Sequence, residues 1–274
     1  MAIYAEAAMI WRIEGGKGVM YLAGSVHLLR EKDTLPDAYF KIYEEVDSLV
    51  FEVDPSQQVS PASALRMIQL GSLPSGQNLS ELISSQDYQR LEKKMSEAGI
   101  PSAAYDRFRP WLAAMTLTRS HLDSMGAKTH FGLEHRLLEK SKADRKPFSG
   151  LESLDEVMRV FGSLSNTEET LLLMETLNSA HHLEENVDAL INAWQRADVK
   201  ALDQLIWAGA QDDPILHRIL IERNKKWLEK IVTHLESEKR VMVVVGAAHL
   251  IGKGSLIDLL AQRGYSHHMA GGSP

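Results

Sequence analysis

Short apolar runs closed by glycine mark the two ends of the chain, and apolar positions at helical spacing fill the stretch between them. Ala8–Ile13 and Gly18–Ala23 flank Glu14-Gly-Gly-Lys17, a pattern that predicts a β-hairpin. Leu35-Pro36 opens a helix running to about Val46, with proline where its missing N–H costs nothing. Leu49–Val53 reads as the next strand, ended by Asp54-Pro55. Helical spacing then runs through Leu79–Ile83, Tyr88–Met95, Tyr105–Met125, Gly132–Lys142 and His217–Glu236. Lys146–Gly150 reads as a short strand within that stretch. Near the C-terminus, Val241–Val245 and the weaker Tyr265–Met269 are again strands. The predicted class is therefore α/β, or α+β: one domain over 1–274, with a sheet core in 1–55 and 241–274 and a large helical insertion over 56–240. A sequential βαβαβ run, the mark of an ordinary dinucleotide-binding fold, is not seen.

The two ends resemble each other. Val19-Met-Tyr-Leu-Ala-Gly24-Ser-Val-His27 and Val241-Met-Val-Val-Val-Gly246-Ala-Ala-His249 are both an apolar run followed by Gly-x-x-His. Each leads through a helix into a second strand. A central sheet of two related strand–GxxH–helix–strand halves would bring His27 and His249 together at the carboxyl ends of neighbouring strands, where open α/β sheets bind ligands. A histidine at a helix start is expected to be neutral, because the positive end of the helix dipole disfavours a cation. Neutral imidazole binds metal or accepts a proton.

Carboxylates follow. Glu52 and Asp54 are two apart and share one face of a strand. A buried carboxylate needs a cation, a metal or strong donors. Asp54 fits a turn cap before Pro55 equally well. Glu134 and Glu152 read as first-turn helix acids. Glu222–Trp227 reads as the solvated face of an amphipathic helix. His181-His182 and His267-His268 are adjacent pairs whose side chains diverge. Neither a His-Glu-x-x-His zinc signature nor a Gly-x-Ser-x-Gly serine elbow occurs.

Composition narrows the chemistry. The chain has 274 residues, 44% hydrophobic and 24% charged, with a formal net charge of −7. That balance is globular and gives no basic stripe for nucleic acid. There is no cysteine, which excludes disulfides, thiolate ligands and a cysteine nucleophile. No apolar run is long enough to span a membrane. The N-terminus lacks a basic segment followed by a long apolar core, so no signal peptide is read. Location stays open between cytoplasm and, for a trimmed chain, periplasm or secretion.

Taken in order, these segments resemble the TraB/GumN family, which includes the Tiki proteins. The resemblance rests on Tyr21-Leu-Ala-Gly-Ser-Val-His27, Leu35-Pro36, Leu49-Val-Phe-Glu-Val-Asp54, Arg109-Pro-Trp111, Gly132-Leu-Glu134, Gly150-Leu-Glu152, Glu222-Arg-Asn224 with Trp227, Val244-Val-Gly-Ala-Ala-His249 and Gly254–Tyr265. It implies a fold similar to the erythromycin-esterase and ChaN-like proteins, and a metal-dependent peptidase activity with manganese or cobalt. On that resemblance His27, Glu52, Glu134 and His249 hold a metal. Glu52, Glu134 and Arg223 are catalytic, and Asp54, Arg223 and Asn224 meet a peptide or protein substrate. Mixed oxygen and imidazole donors suit manganese, cobalt or zinc. Two other readings stand beside it: a metal-free esterase-type hydrolase, and a non-catalytic peptide- or pheromone-binding protein.

Overall fold

The structure is a computed structural model that describes residues 7–53, 61–179, 182–207 and 213–270. Asp54, Pro55 and His181 lie outside the described residues. The chain forms two compact units, one of Met1–Gln58, Lys128–Ser153 and Asn186–Pro274, the other of Val59–Ala127 and Leu154–Glu185.

The first unit is built on a mixed six-stranded sheet. Its strands are β1 (Ile10–Glu14), β2 (Val19–Ser25), β3 (Ser48–Val53), β4 (Phe148–Glu152), β5 (Arg240–Gly246) and β6 (Ser266–Met269). Their order across the sheet is β4-β3-β5-β2-β1-β6. β1 and β2 form the expected hairpin, with Ile10 opposite Ala23 and Ile13 opposite Met20. The two GxxH strands are parallel neighbours, Gly24 beside Val245 and Ser25 beside Gly246. β3 pairs parallel with β5 on its other side, and β4 extends the parallel run. β5 is thus central, and its Val241–Gly246 are all buried, as a strand covered on both faces requires. β6 does not follow β3's example. It crosses to the far edge and pairs antiparallel with β1.

This topology puts four carboxyl ends side by side, those of β4, β3, β5 and β2. The turn after β2 is fixed by its own backbone: Tyr39 Oη and Trp194 Nε1 both donate to the Gly24 carbonyl at 2.7 Å. A Cβ on Gly24 would lie 3.2–3.3 Å from Ala247 and Leu250, so glycine permits the two turns to pack closely.

The stretch read as an insertion is divided. Lys128–Ser153 and the residues from Asn186 onward cluster with the sheet, and β4 comes from this stretch. The second unit is helical around Leu79, Leu91, Met95, Tyr105, Leu117, Leu173 and Leu177. In it the stretch read as one helix from Tyr105 is broken. A short turn, Ser102–Tyr105, precedes a helix over Pro110–Ser124. Arg109 has ψ 150°, because a residue before proline is pushed out of the helical region. No helix among the described residues is long and apolar enough to cross a membrane.

Candidate functional site

The four carboxyl ends carry Glu152 (β4), Glu52 (β3), Gly246 (β5) and Ser25 (β2), and two of them lead into histidines. His249 sits in a 3-10 turn, Ala247–Leu250, directly after β5. His27 follows β2 in a loop, well ahead of the helix Ala38–Glu45. The remaining parts come from two helices. Leu133–Asp144 presents Glu134 in its first turn, and Glu222–Leu235 presents Arg223, Asn224 and Trp227.

Each imidazole is held by its Nδ1. In His249 that atom bonds Asn224 Oδ1 at 2.7 Å. In His27 it lies 2.6 Å from Glu134 Oε1, and Ser25 Oγ donates to the same carboxylate oxygen. Both Nε2 atoms are thereby turned toward Glu52 Oε2, 4.0 Å away for His27 and 3.8 Å for His249. The Gly246 backbone N–H donates to that same oxygen at 3.2 Å. On the other side, Glu52 Oε1 accepts from Arg223 Nη2. Glu152 Oε1 accepts from Arg223 Nη2 and, at 2.9 Å, from Arg223 Nε. Arg223 Nη1 reaches the Ile219 carbonyl at 3.1 Å and stands 3.4 Å from His249 Nε2. The indole of Trp227 packs on His249 with ring centroids 4.5 Å apart, and the guanidinium lies 4.6 Å from the same ring.

A π-helical turn, His217–Ile221, precedes these residues. Such turns interrupt the α register and often occur at functional sites. Here the neighbours Arg223 and Asn224 are both buried, while Glu222, Lys225 and Lys226 face solvent. Reading the whole segment as a solvated face is therefore wrong for Arg223, Asn224 and Trp227.

Charge is distributed unevenly. The Glu134 carboxylate is the main cause that lifts His27 to about 9, against the effect of burial. Burial pushes His249 the other way, to about 3, with the nearby guanidinium adding to it. Burial opposes ionisation of Glu52, yet His249, Arg223 and His27 hold it well below the usual carboxylate range. Burial raises Glu152 despite Arg223. The neutral imidazole expected of both histidines thus holds for His249 alone, and from burial rather than a helix dipole. His27 is in a loop, beside a carboxylate.

These shifts set a pH profile for the stability of chelator-treated protein. His27 binds its proton more tightly when folded, so its contribution is complete below about pH 6.5 and is lost as pH rises to about 9. His249 is held neutral by the fold, so its contribution is complete above about pH 6.5 and fades as pH falls towards about 3. Urea midpoints measured across pH should peak near neutrality. His27→Gln should flatten the alkaline limb and His249→Gln the acid limb. A profile unchanged by both substitutions would contradict these assignments.

The site-residue expectations can now be placed. His27, His249, Glu52 and Arg223 meet in one cluster. Glu134 and Asn224 stand behind the histidines, on their Nδ1 sides. Glu152 is not a first-turn acid: it closes β4, and the next helix begins at Leu154. Its Gly-Leu-Glu-Ser context mimics a helix start, so only the parallel pairing of Val53 with Glu152 reveals its place. Ser25 needed the fold too, because its partner is 109 residues away.

Does this donor set fit a divalent metal? Among the described residues no ready cluster of three ligand side chains is formed. The gaps of 3.8–4.0 Å exceed the spacing of about 3–3.5 Å that ligands take around one small ion. Two observations nonetheless favour the fit. Histidines that bind metal through one ring nitrogen characteristically bond an oxygen acceptor through the other, as both do here. A Cβ built on Gly246 would fall among the donors, 3.3 Å from His27 Nε2, 3.6 Å from His249 Cδ2 and 3.7 Å from Glu52 Oε2, so glycine keeps that cradle open. The residues fit the group.

The chain is 26% identical over 249 residues to the uncharacterized protein YbaP of Escherichia coli K12, covering 89% of each chain. It is 23% identical over 272 residues to an uncharacterized protein of Treponema pallidum, covering 93% of this chain and 80% of that one. It is also 23% identical over 312 residues to the metalloprotease TIKI1 of Danio rerio, covering 93% of this chain and 62% of TIKI1. No solved structure matches. Residues 9–268 match the TraB/PrgY/gumN family model, and the chain belongs to that family.

Proposed function

We propose that the protein is a metal-dependent hydrolase acting on peptides. The observation that carries the reading is the common posture of the two histidines, each bonded through Nδ1 and each turning Nε2 toward Glu52 Oε2. The metalloprotease name of the Danio rerio relative supports the hydrolase class. His27 Nε2, His249 Nε2 and Glu52 Oε2 would hold the ion, and nitrogen and oxygen donors suit manganese, cobalt or zinc. A divalent ion there would act as a Lewis acid toward a substrate carbonyl. With His27 protonated, as Glu134 holds it up to about pH 9, the carboxylates of Glu52, Glu134 and Glu152 outnumber the two cations by one, and an ion would have to displace the His27 proton.

The chain's own groups divide the remaining work. Glu134 keeps the His27 proton on Nδ1, and Ser25 keeps Glu134 in place. Asn224 does the same for His249. Arg223 Nη1, beside His249 Nε2, is the donor placed to stabilise negative charge on a carbonyl oxygen. Asp54, two residues after Glu52 in the sequence and outside the described residues, is kept as a candidate for contact with substrate.

One observation favours a metal-free hydrolase as the second reading. The 2.6 Å pair of Glu134 with the half-exposed His27 is a ready acid–base dyad. Cleavage of a peptide library before and after exhaustive chelation separates the two. The proposal expects turnover that is lost on chelation, restored by manganese or cobalt, and absent from folded His27→Ala/His249→Ala. Turnover that survives chelation would favour the dyad. Turnover by the double variant would refute both.

A further inference from the structure

Arg223 raises a difficulty for the site. It is a buried cation whose Nη1 stands 3.4 Å from His249 Nε2 and whose Nη2 already bonds Glu52. A divalent ion needs the same carboxylate and is repelled by the same charge. Something must hold the guanidinium back.

The contacts identify it. Glu152 takes the whole Nε/Nη2 edge of the guanidinium on one oxygen, and its side chain is only 6% exposed. The Ile219 carbonyl takes Nη1, and the indole of Trp227 covers one face. Of these groups only Glu152 carries charge to balance Arg223. Without it, Glu52 would be the one carboxylate left to that guanidinium. A bidentate pair would then use both Glu52 oxygens, as arginine and carboxylate prefer. Oε2 would no longer be available between the two Nε2 atoms.

We infer that Glu152 is a positioning residue that tethers Arg223, so that Glu52 Oε2 stays free to bind a divalent cation with His27 and His249. The inference rests on the proposed metal reading, but it concerns a residue that touches neither the ion nor the substrate. Glu152 acts through Arg223, so its effect must vanish when Arg223 is gone.

A double-mutant cycle read by calorimetric titration with Mn²⁺ tests this without any assay of activity. Glu152→Gln should weaken Mn²⁺ binding about tenfold or more, the scale on which groups behind metal ligands act. On an Arg223→Met background the same substitution should change affinity less than about threefold. Glu152→Asp keeps the charge on a shorter arm, and its loss should be smaller than that of Glu152→Gln. It also serves if the glutamine variant does not fold. Wild-type affinity in Glu152→Gln, or an equal loss on both backgrounds, would overturn the inference and leave the metal reading standing. Absence of Mn²⁺ binding in the wild type would overturn the metal reading and the inference with it.

Discussion

Glu52→Ala should lower unfolding free energy by about 3 kcal/mol, the low end for removing one partner of a buried ion pair. Arg223 is 5% exposed and keeps Glu152, which limits the loss. Three other groups lose their common partner: the Gly246 N–H and the Nε2 sides of both histidines. The cost should come mainly from the Arg223 guanidinium, which is left with Glu152 as its partner carboxylate. Glu52→Ala/Arg223→Met should therefore cost less than the two single losses summed, measured by urea denaturation of chelator-treated protein. If the double variant is less stable by the full sum of the two single losses, Arg223 is not the source of the cost.

Gly246→Ala should do the reverse, sparing the fold and weakening metal binding. Gly246 has φ −52° and ψ 136°, which alanine adopts without strain. Its added methyl would meet His27 Nε2 at 3.3 Å, which a shift of a few tenths of an ångström relieves, and His249 Cδ2 and Glu52 Oε2 at ordinary contact distances of 3.6 and 3.7 Å. The melting temperature should stay close to wild type. Turnover should fall at least about tenfold, the scale on which groups around metal ligands act, because the methyl takes space between the donors. Wild-type turnover in this variant would show that chemistry occurs elsewhere.

How much of this was legible in the chain follows from the range of each signal. The two Gly-x-x-His runs repeat locally, so His27 and His249 can be read directly, and their strands are neighbours. Strand parity puts Glu52 and Asp54 on one shared face but does not say which face that is, and it takes the pairing of β3 with β5 to set Glu52 near both histidines. Sheet order is a long-range property, and nothing local indicates that β6 crosses to pair with β1. Arg223 and Asn224 are hidden by Glu222, Lys225 and Lys226, because the segment averages as amphipathic while a π-turn alters which side chains point inward. Glu152 is masked by a Gly-Leu-Glu-Ser context that suits a helix start, although the chain there is finishing a strand. The break before Pro110, by contrast, follows from a local rule and was open to reading.

The central claim is that one divalent ion sits between the repeats, and metal content tests it most directly. Wild-type protein and His27→Ala/His249→Ala should be dialysed against manganese, cobalt and zinc, then against metal-free buffer, and assayed by mass spectrometry. The account predicts close to one ion per wild-type chain and none in the folded double variant. Equal metal in both, or none in the wild type, would contradict it.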